Sequence, residues 1–133
     1  MSIKNLWGNI EDFAEVRPPH EILEEQGKVL SQITDGKLVL TISRTQSNTV
    51  YNYDAFISLA SAKQIRQRIL RLTHDIKLYP ALIFDDEGST EHRAESQEDF
   101  EEKLGRVLSS EGTMRVVATL MTQARLNPAD KLV

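Results

Sequence analysis

The run from Tyr51 to Leu59 alternates without a break. Tyr51, Tyr53, Ala55, Ile57 and Leu59 fall on one side, and Asn52, Asp54, Phe56 and Ser58 on the other. A period of two marks a strand, because successive side chains point to opposite faces of a sheet. Just upstream, Leu38, Leu40 and Ile42 alternate with Val39, Thr41 and Ser43 in the same way. Gln46, Ser47, Asn48 and Thr49 between the runs are turn-forming residues. Two such runs across a short polar link predict an antiparallel hairpin. A hairpin alone is marginal in water, so the rest of the chain must supply more strands and a cover.

The flanking segments change period. Ile3, Leu6, Trp7, Ile10, Phe13 and Ala14 step by three and four, which predicts an amphipathic helix over 2–15 with Gly8 as its weak point. Arg17, Pro18 and Pro19 interrupt the pattern, and Pro19 suits the first turn of a second helix over 19–34. Ile22, Leu23, Val29, Leu30 and Ile33 line its apolar side, with Gln26 among them, and Asp35–Gly36 ends it. Near the C-terminus, Phe100, Leu104, Val107 and Leu108, then Val116, Val117, Leu120, Met121 and Ala124, predict two helices over 97–126. Ser96 with Asp99 three residues later resembles a capping box at the start of the first.

Between hairpin and C-terminal helices the signals are mixed. Ile65, Ile69, Leu72 and Ile76 have helical spacing, yet about Arg68 to His74 also reads as a strand, and a meander would extend the hairpin. We favour the strand. Leu78 to Phe84 is apolar at consecutive positions, as in a strand covered on both faces, and Pro80 must begin or bulge it. Thr90 to Ala94 returns as a charged edge. The expectation is a single α+β domain over 1–133. Its antiparallel meander sheet of about four strands, within 37–95, carries the N-terminal and C-terminal helices on one face.

Composition narrows the functions. There is no cysteine, which removes disulfides, thiolate zinc sites and cysteine nucleophiles. A net charge of −4 argues against a dedicated nucleic-acid binder, although a local basic patch would still permit that role. No apolar run approaches the roughly 20 residues of a membrane span, and no leader peptide is expected. A cytoplasmic location is the expectation. No glycine-rich phosphate loop and no G-x-S-x-G elbow occur, and no cofactor is called for.

Four groups of residues remain as candidates. Asp85, Asp86, Glu87 and Glu91, beside His92, offer hard oxygen ligands after a strand, the chemistry of a divalent ion in a phosphodiesterase or nuclease. The alternative is a solvated turn. A nuclease could also draw on Glu101 and Lys103, although these fall in a predicted helix. His74 beside Asp75 suggests acid–base chemistry, against a hydrogen-bonded structural histidine. Arg66, Arg68 and Arg71 could contact phosphate, or pair with acids of the same molecule. Trp7 and Phe13 on the N-terminal helix could anchor a partner or a second copy.

The absence of catalytic motifs, together with the opposed charges, favours a non-catalytic protein-interaction module. An adaptor, an inhibitor or an immunity-type accessory protein would fit. Its binding residues would be Trp7, Phe13, Arg66, Arg68 and Arg71, and a homodimer is allowed.

Overall fold

The computed structural model describes residues 3–12, 15–85 and 90–126. The sheet has five strands, one more than expected: β1 (Leu38–Ser47), β2 (Val50–Leu59), β3 (Arg66–His74), β4 (Ala81–Asp85) and β5 (Glu91–Ala94). They lie in sequence order, each antiparallel to the next. Three helices accompany them: α1 (Pro19–Ile33), α2 (Gln97–Leu108) and α3 (Glu111–Leu126). The fold is therefore α+β with a meander sheet, and the stretch from about Arg68 to His74, where helix and strand signals competed, belongs to a strand that begins two residues earlier at Arg66.

The hairpin forms where the alternation placed it. Leu38 pairs with Leu59 and Ser47 with Val50, with Asn48 taking a positive φ of 54° in the two-residue turn. Tyr53, Ala55, Ile57 and Leu59 are buried, as the apolar side of that strand requires. Leu70, Leu72, Ala81, Ile83 and Ala94 join them from β3, β4 and β5. Leu23 of α1, Phe100, Leu104 and Val107 of α2, and Leu120 and Ala124 of α3 close over this layer. β4 is shorter than the apolar run 78–84. Leu78 has a positive φ of 73° and Pro80 has no N–H to give a ladder, so the strand starts after Pro80.

Two helix assignments are corrected. No helix forms over 3–9, where the spacing predicts most of the N-terminal helix, and Ile10–Asp12 makes only a short 3-10 turn. Phe13 and Ala14 lie outside the described residues. Asn5 folds its side chain onto the local backbone: its carbonyl oxygen accepts from the Trp7 N–H at 2.9 Å and its amide donates to the Gly8 carbonyl at 3.1 Å. Gly8 has a φ of +76°. Such local bonds compete with a helix, and a short apolar stripe is helical only when something buries it. Here Ile3, Leu6, Trp7 and Ile10 are 97, 83, 82 and 65% exposed.

α1 has the expected bounds but a rotated buried face. Pro19, Ile22, Leu23 and Gly27 are buried, whereas Val29, Ile33 and Gln26 are exposed. Gly27 is the reason. A Cβ built there would sit 3.0 Å from the Leu40 Cβ, so the helix lays its bare backbone against β1. Asp35 and Gly36, both at positive φ, end α1, and the Gly36 N–H donates to the Ser31 carbonyl at 2.7 Å. At α2 the Ser96 hydroxyl accepts from the Asp99 N–H at 3.2 Å. Asp99 reaches back to the Glu95 N–H at 3.0 Å, one residue before the cap.

Candidate functional site on the helix-free sheet face

All three helices pack on one face of the sheet: α1 against β1, α3 against β2 and β3, and α2 against β4 and β5. The opposite face is built by the residues that alternate with the core. β2 contributes Asn52, Asp54 and Phe56, and β4 contributes Leu82 and Phe84. Thr41 of β1 pairs with Phe56 and Glu91 of β5 pairs with Phe84, which extends the face to both edges. Phe56, Leu82 and Phe84 are half-buried, a floor with one side open.

Three arginines of β3 gather on this floor because β3 contains one extra residue. Ala55 pairs with Leu70 but Phe56 pairs with Arg68, leaving Ile69 without an opposite partner. A bulge of this kind shifts the alternation by one position. Arg68 and Arg71, three apart, would otherwise point to opposite faces. With the bulge they converge on Asp54. Its Oδ1 accepts from Arg71 Nε at 2.8 Å and from Arg68 Nη1 at 3.3 Å, and its Oδ2 accepts from Arg71 Nη2 at 3.2 Å. The Arg66 guanidinium lies over the Phe56 ring, 4.2 Å from its centroid. Thr73 donates to the Asn52 side-chain carbonyl at 2.8 Å, extending the polar row.

The Arg71 hydrogen bond, reinforced by the charges of Arg71 and Arg68, holds the Asp54 carboxyl below its ordinary value of 3.8 despite partial burial. A carboxyl whose folded pKa is depressed stabilises the fold above its unfolded pKa. That contribution is lost as pH falls through the folded value. Stability of the native chain should therefore decline from about pH 4 downward partly through this group. Asp54→Asn removes the titrating group, so urea midpoints of the variant should show a shallower acid limb than the native chain. Parallel acid limbs would show that the pair does not titrate with folding.

The other predicted residues are placed apart. Trp7 sits on the exposed N-terminal segment. Asp85 pairs in register with the buried Leu70, and Glu91 with Phe84, so these two acids point to opposite faces of the sheet. The Asp85 carboxylate lies 3.3 Å from His92 Nε2. Asp86 and Glu87 lie outside the described residues, and among the described residues no three side chains of metal-ligand type converge. Glu101 and Lys103 lie in α2, where the Lys103 ammonium donates to the Arg93 carbonyl and to Asp99.

His74 is buried and stacked beside Tyr51 and Tyr53 at 5.4 and 5.5 Å. Its Nδ1 lies 2.7 Å from the Asp75 carbonyl oxygen, while the Asp75 carboxylate accepts from the Lys77 N–H, so the neighbours make no acid–base dyad. Asp54 and Phe56, central to the arginine cluster, were not singled out from the sequence. The available signal was a phenylalanine on the polar side of the cleanest strand.

The sequence matches no protein-family model, and neither the curated proteins nor the solved structures compared with it gave a match. Among the described residues, no helix is long and apolar enough to cross a membrane.

Proposed function

We propose that the protein is a small non-catalytic interaction module that binds an acidic segment of a protein partner on the helix-free sheet face. The observation that carries this reading is the arrangement around Asp54 and Phe56. Two guanidiniums share one carboxylate, and a third lies over an aromatic ring beside a half-buried apolar floor. Arginine on an aromatic surface is a frequent anchor of protein interfaces, since it combines buried area with planar hydrogen bonding. Among the described residues Arg66 makes no ion pair, which leaves its charge available for a partner's carboxylate. The cysteine-free chain suits the cytoplasm, which we propose as its location.

The test starts from the protein purified gently from its own host, with native mass spectrometry to identify any co-purifying polypeptide. Arg66→Glu is the informative variant, because Arg68 and Arg71 also hold Asp54 and their reversal would disturb the fold. Charge reversal at Arg66 should slow association with that polypeptide about tenfold or more at low salt, with the difference shrinking as salt is added. Unchanged binding kinetics would rule out this face as the docking surface.

A further inference from the structure

We infer that β1 is the interface of a homodimer, pairing antiparallel with β1 of a second copy across a two-fold axis. This rests on the strand edge and stands independently of the arginine face.

The hydrogen-bond phase of β1 is set at its start. The Lys37 carbonyl accepts from the Ala60 N–H, so odd-numbered residues of β1 turn their backbone groups toward β2. Even-numbered residues turn theirs outward. At Leu38 the outward groups are already used: its N–H donates to Thr34 Oγ1 at 3.2 Å, and its carbonyl accepts from Ser31 Oγ at 3.1 Å. Leu40, Ile42, Arg44 and Gln46 follow, and β1 is the outermost strand, with no sheet neighbour beyond it among the described residues.

Exposed strand edges are ordinarily blunted by shortness, proline, inward charge or a bulge. β5, the opposite edge, is only four residues long and carries Glu91 and Arg93. β1 has ten residues, no proline and a continuous register with β2, and Arg44 is its one charge. Its first half has an apolar character along the edge. A groove of about 360 Å³ between α1 and β1 is lined by Gly27, Val39, Leu40 and Ile42, with Glu24 and Lys28 on its helical side.

These features select a second copy as the occupant. Within the described sheet the only edge matching β1 in length is β1 itself, since β5 is less than half as long. Pairing a strand with its own copy gives a closed, isologous contact rather than an open chain of molecules. An axis through Thr41 sets Leu40 opposite Ile42 of the second copy, and Ile42 opposite Leu40 of the second copy. Both are outward-bonding pairs with apolar side chains on the helical face. Thr41 meets Thr41 of the second copy on the helix-free face. α1 runs antiparallel to β1, as its contacts from Ser31 to Leu38 and from Gly27 to Leu40 show.

Thr41 provides a clean test because it lies on the open face, away from the core, and its N–H bonds to β2. The native chain should run at twice its 15.1 kDa mass in light scattering. Thr41→Lys puts like charges directly opposite each other at the axis and should raise the dimer dissociation constant about tenfold or more, as should Thr41→Asp. An equimolar mixture of the two variants should recover the dimer as a heterodimer. Recovery also shows that both variants are folded. Amide exchange read by NMR gives a second measure: the Leu40 and Ile42 amides should exchange at least about tenfold more slowly in the native dimer than in Thr41→Lys. A native chain that is monomeric at all concentrations overturns the proposal. So does a dimer that survives both single variants, or one whose exchange protection falls on the arginine face or the Trp7 segment instead.

Discussion

Replacing Phe100 by alanine is expected to cost about 3–5 kcal/mol, the range for deleting a large buried aromatic. The side chain is fully buried and is the largest of its class in the core. It joins three parts of the molecule. It lies on the inner face of α2, and its ring meets Tyr79 edge-on at 6.4 Å, with 68° between the planes. The Tyr79 hydroxyl donates in turn to the Arg17 carbonyl at 2.9 Å, tying down the link that precedes α1. A domain of this size has only about 5–15 kcal/mol to lose. The variant should therefore melt about 10–20 °C lower than the native chain in calorimetry. A drop of only a few degrees would mean that the α2 side of the core collapses around the cavity, leaving little void.

Gly27→Val should be the most damaging substitution at a position that looks innocuous in the sequence. Even a single methyl there meets the Leu40 side chain, with a Cβ-to-Cβ separation of 3.0 Å. Valine adds two further carbons, forcing α1 off β1 at an expected cost of about 1–3 kcal/mol. Gly27→Ala is the control. Its gain of about 1 kcal/mol in helix propensity works against the tighter contact, so its guanidinium midpoint should lie near that of the native chain. A valine variant as stable as the native protein would show that helix and strand do not need this close approach.

The same glycine explains why part of α1 was misread. The apolar spacing counted Val29 and Ile33 as core, because hydrophobicity was the only signal of facing. The strand instead selects the face that permits the closest backbone approach, which glycine supplies without contributing any hydrophobicity. The predicted N-terminal helix failed for a related reason. The stripe from Ile3 to Ile10 is real, but helical order in so short a segment depends on a surface to bury it, and the sequence does not show whether one exists. By contrast, the hairpin, the Ser96 cap and the end of α1 at Gly36 were legible, because each is set by neighbours within a few residues, whereas the strand over about Arg68 to His74 competed with a helical spacing and was favoured only because a hairpin needs further strands.

The candidate site was legible in its residue types but not in its assembly. Arg66, Arg68 and Arg71 stood out as a basic group. Simple alternation puts Arg71 on the face opposite Arg68, and only the extra residue at Ile69 brings the two together on Asp54. A single unpaired residue leaves no mark in composition or period. The acidic turn gave the converse result. Asp85 and Glu91 are near in sequence, yet their places in β4 and β5 send them to opposite faces.

Every strand of the sheet pairs with its neighbour in sequence. No strand must wait for a distant partner, so loop closure stays inexpensive and the order of synthesis can also be the order of assembly. The β1–β2 hairpin, with α1 already beside it, can form while the rest of the chain is still being made. The cover over β3, β4 and β5 comes last, since α2 and α3 follow all five strands. Until those helices emerge, Leu72 and Ile83 lack the lid that later excludes water from them. The nascent chain thus passes through a stage with half a core, and the segment from Gln97 to Leu126 converts a sticky sheet into a covered one.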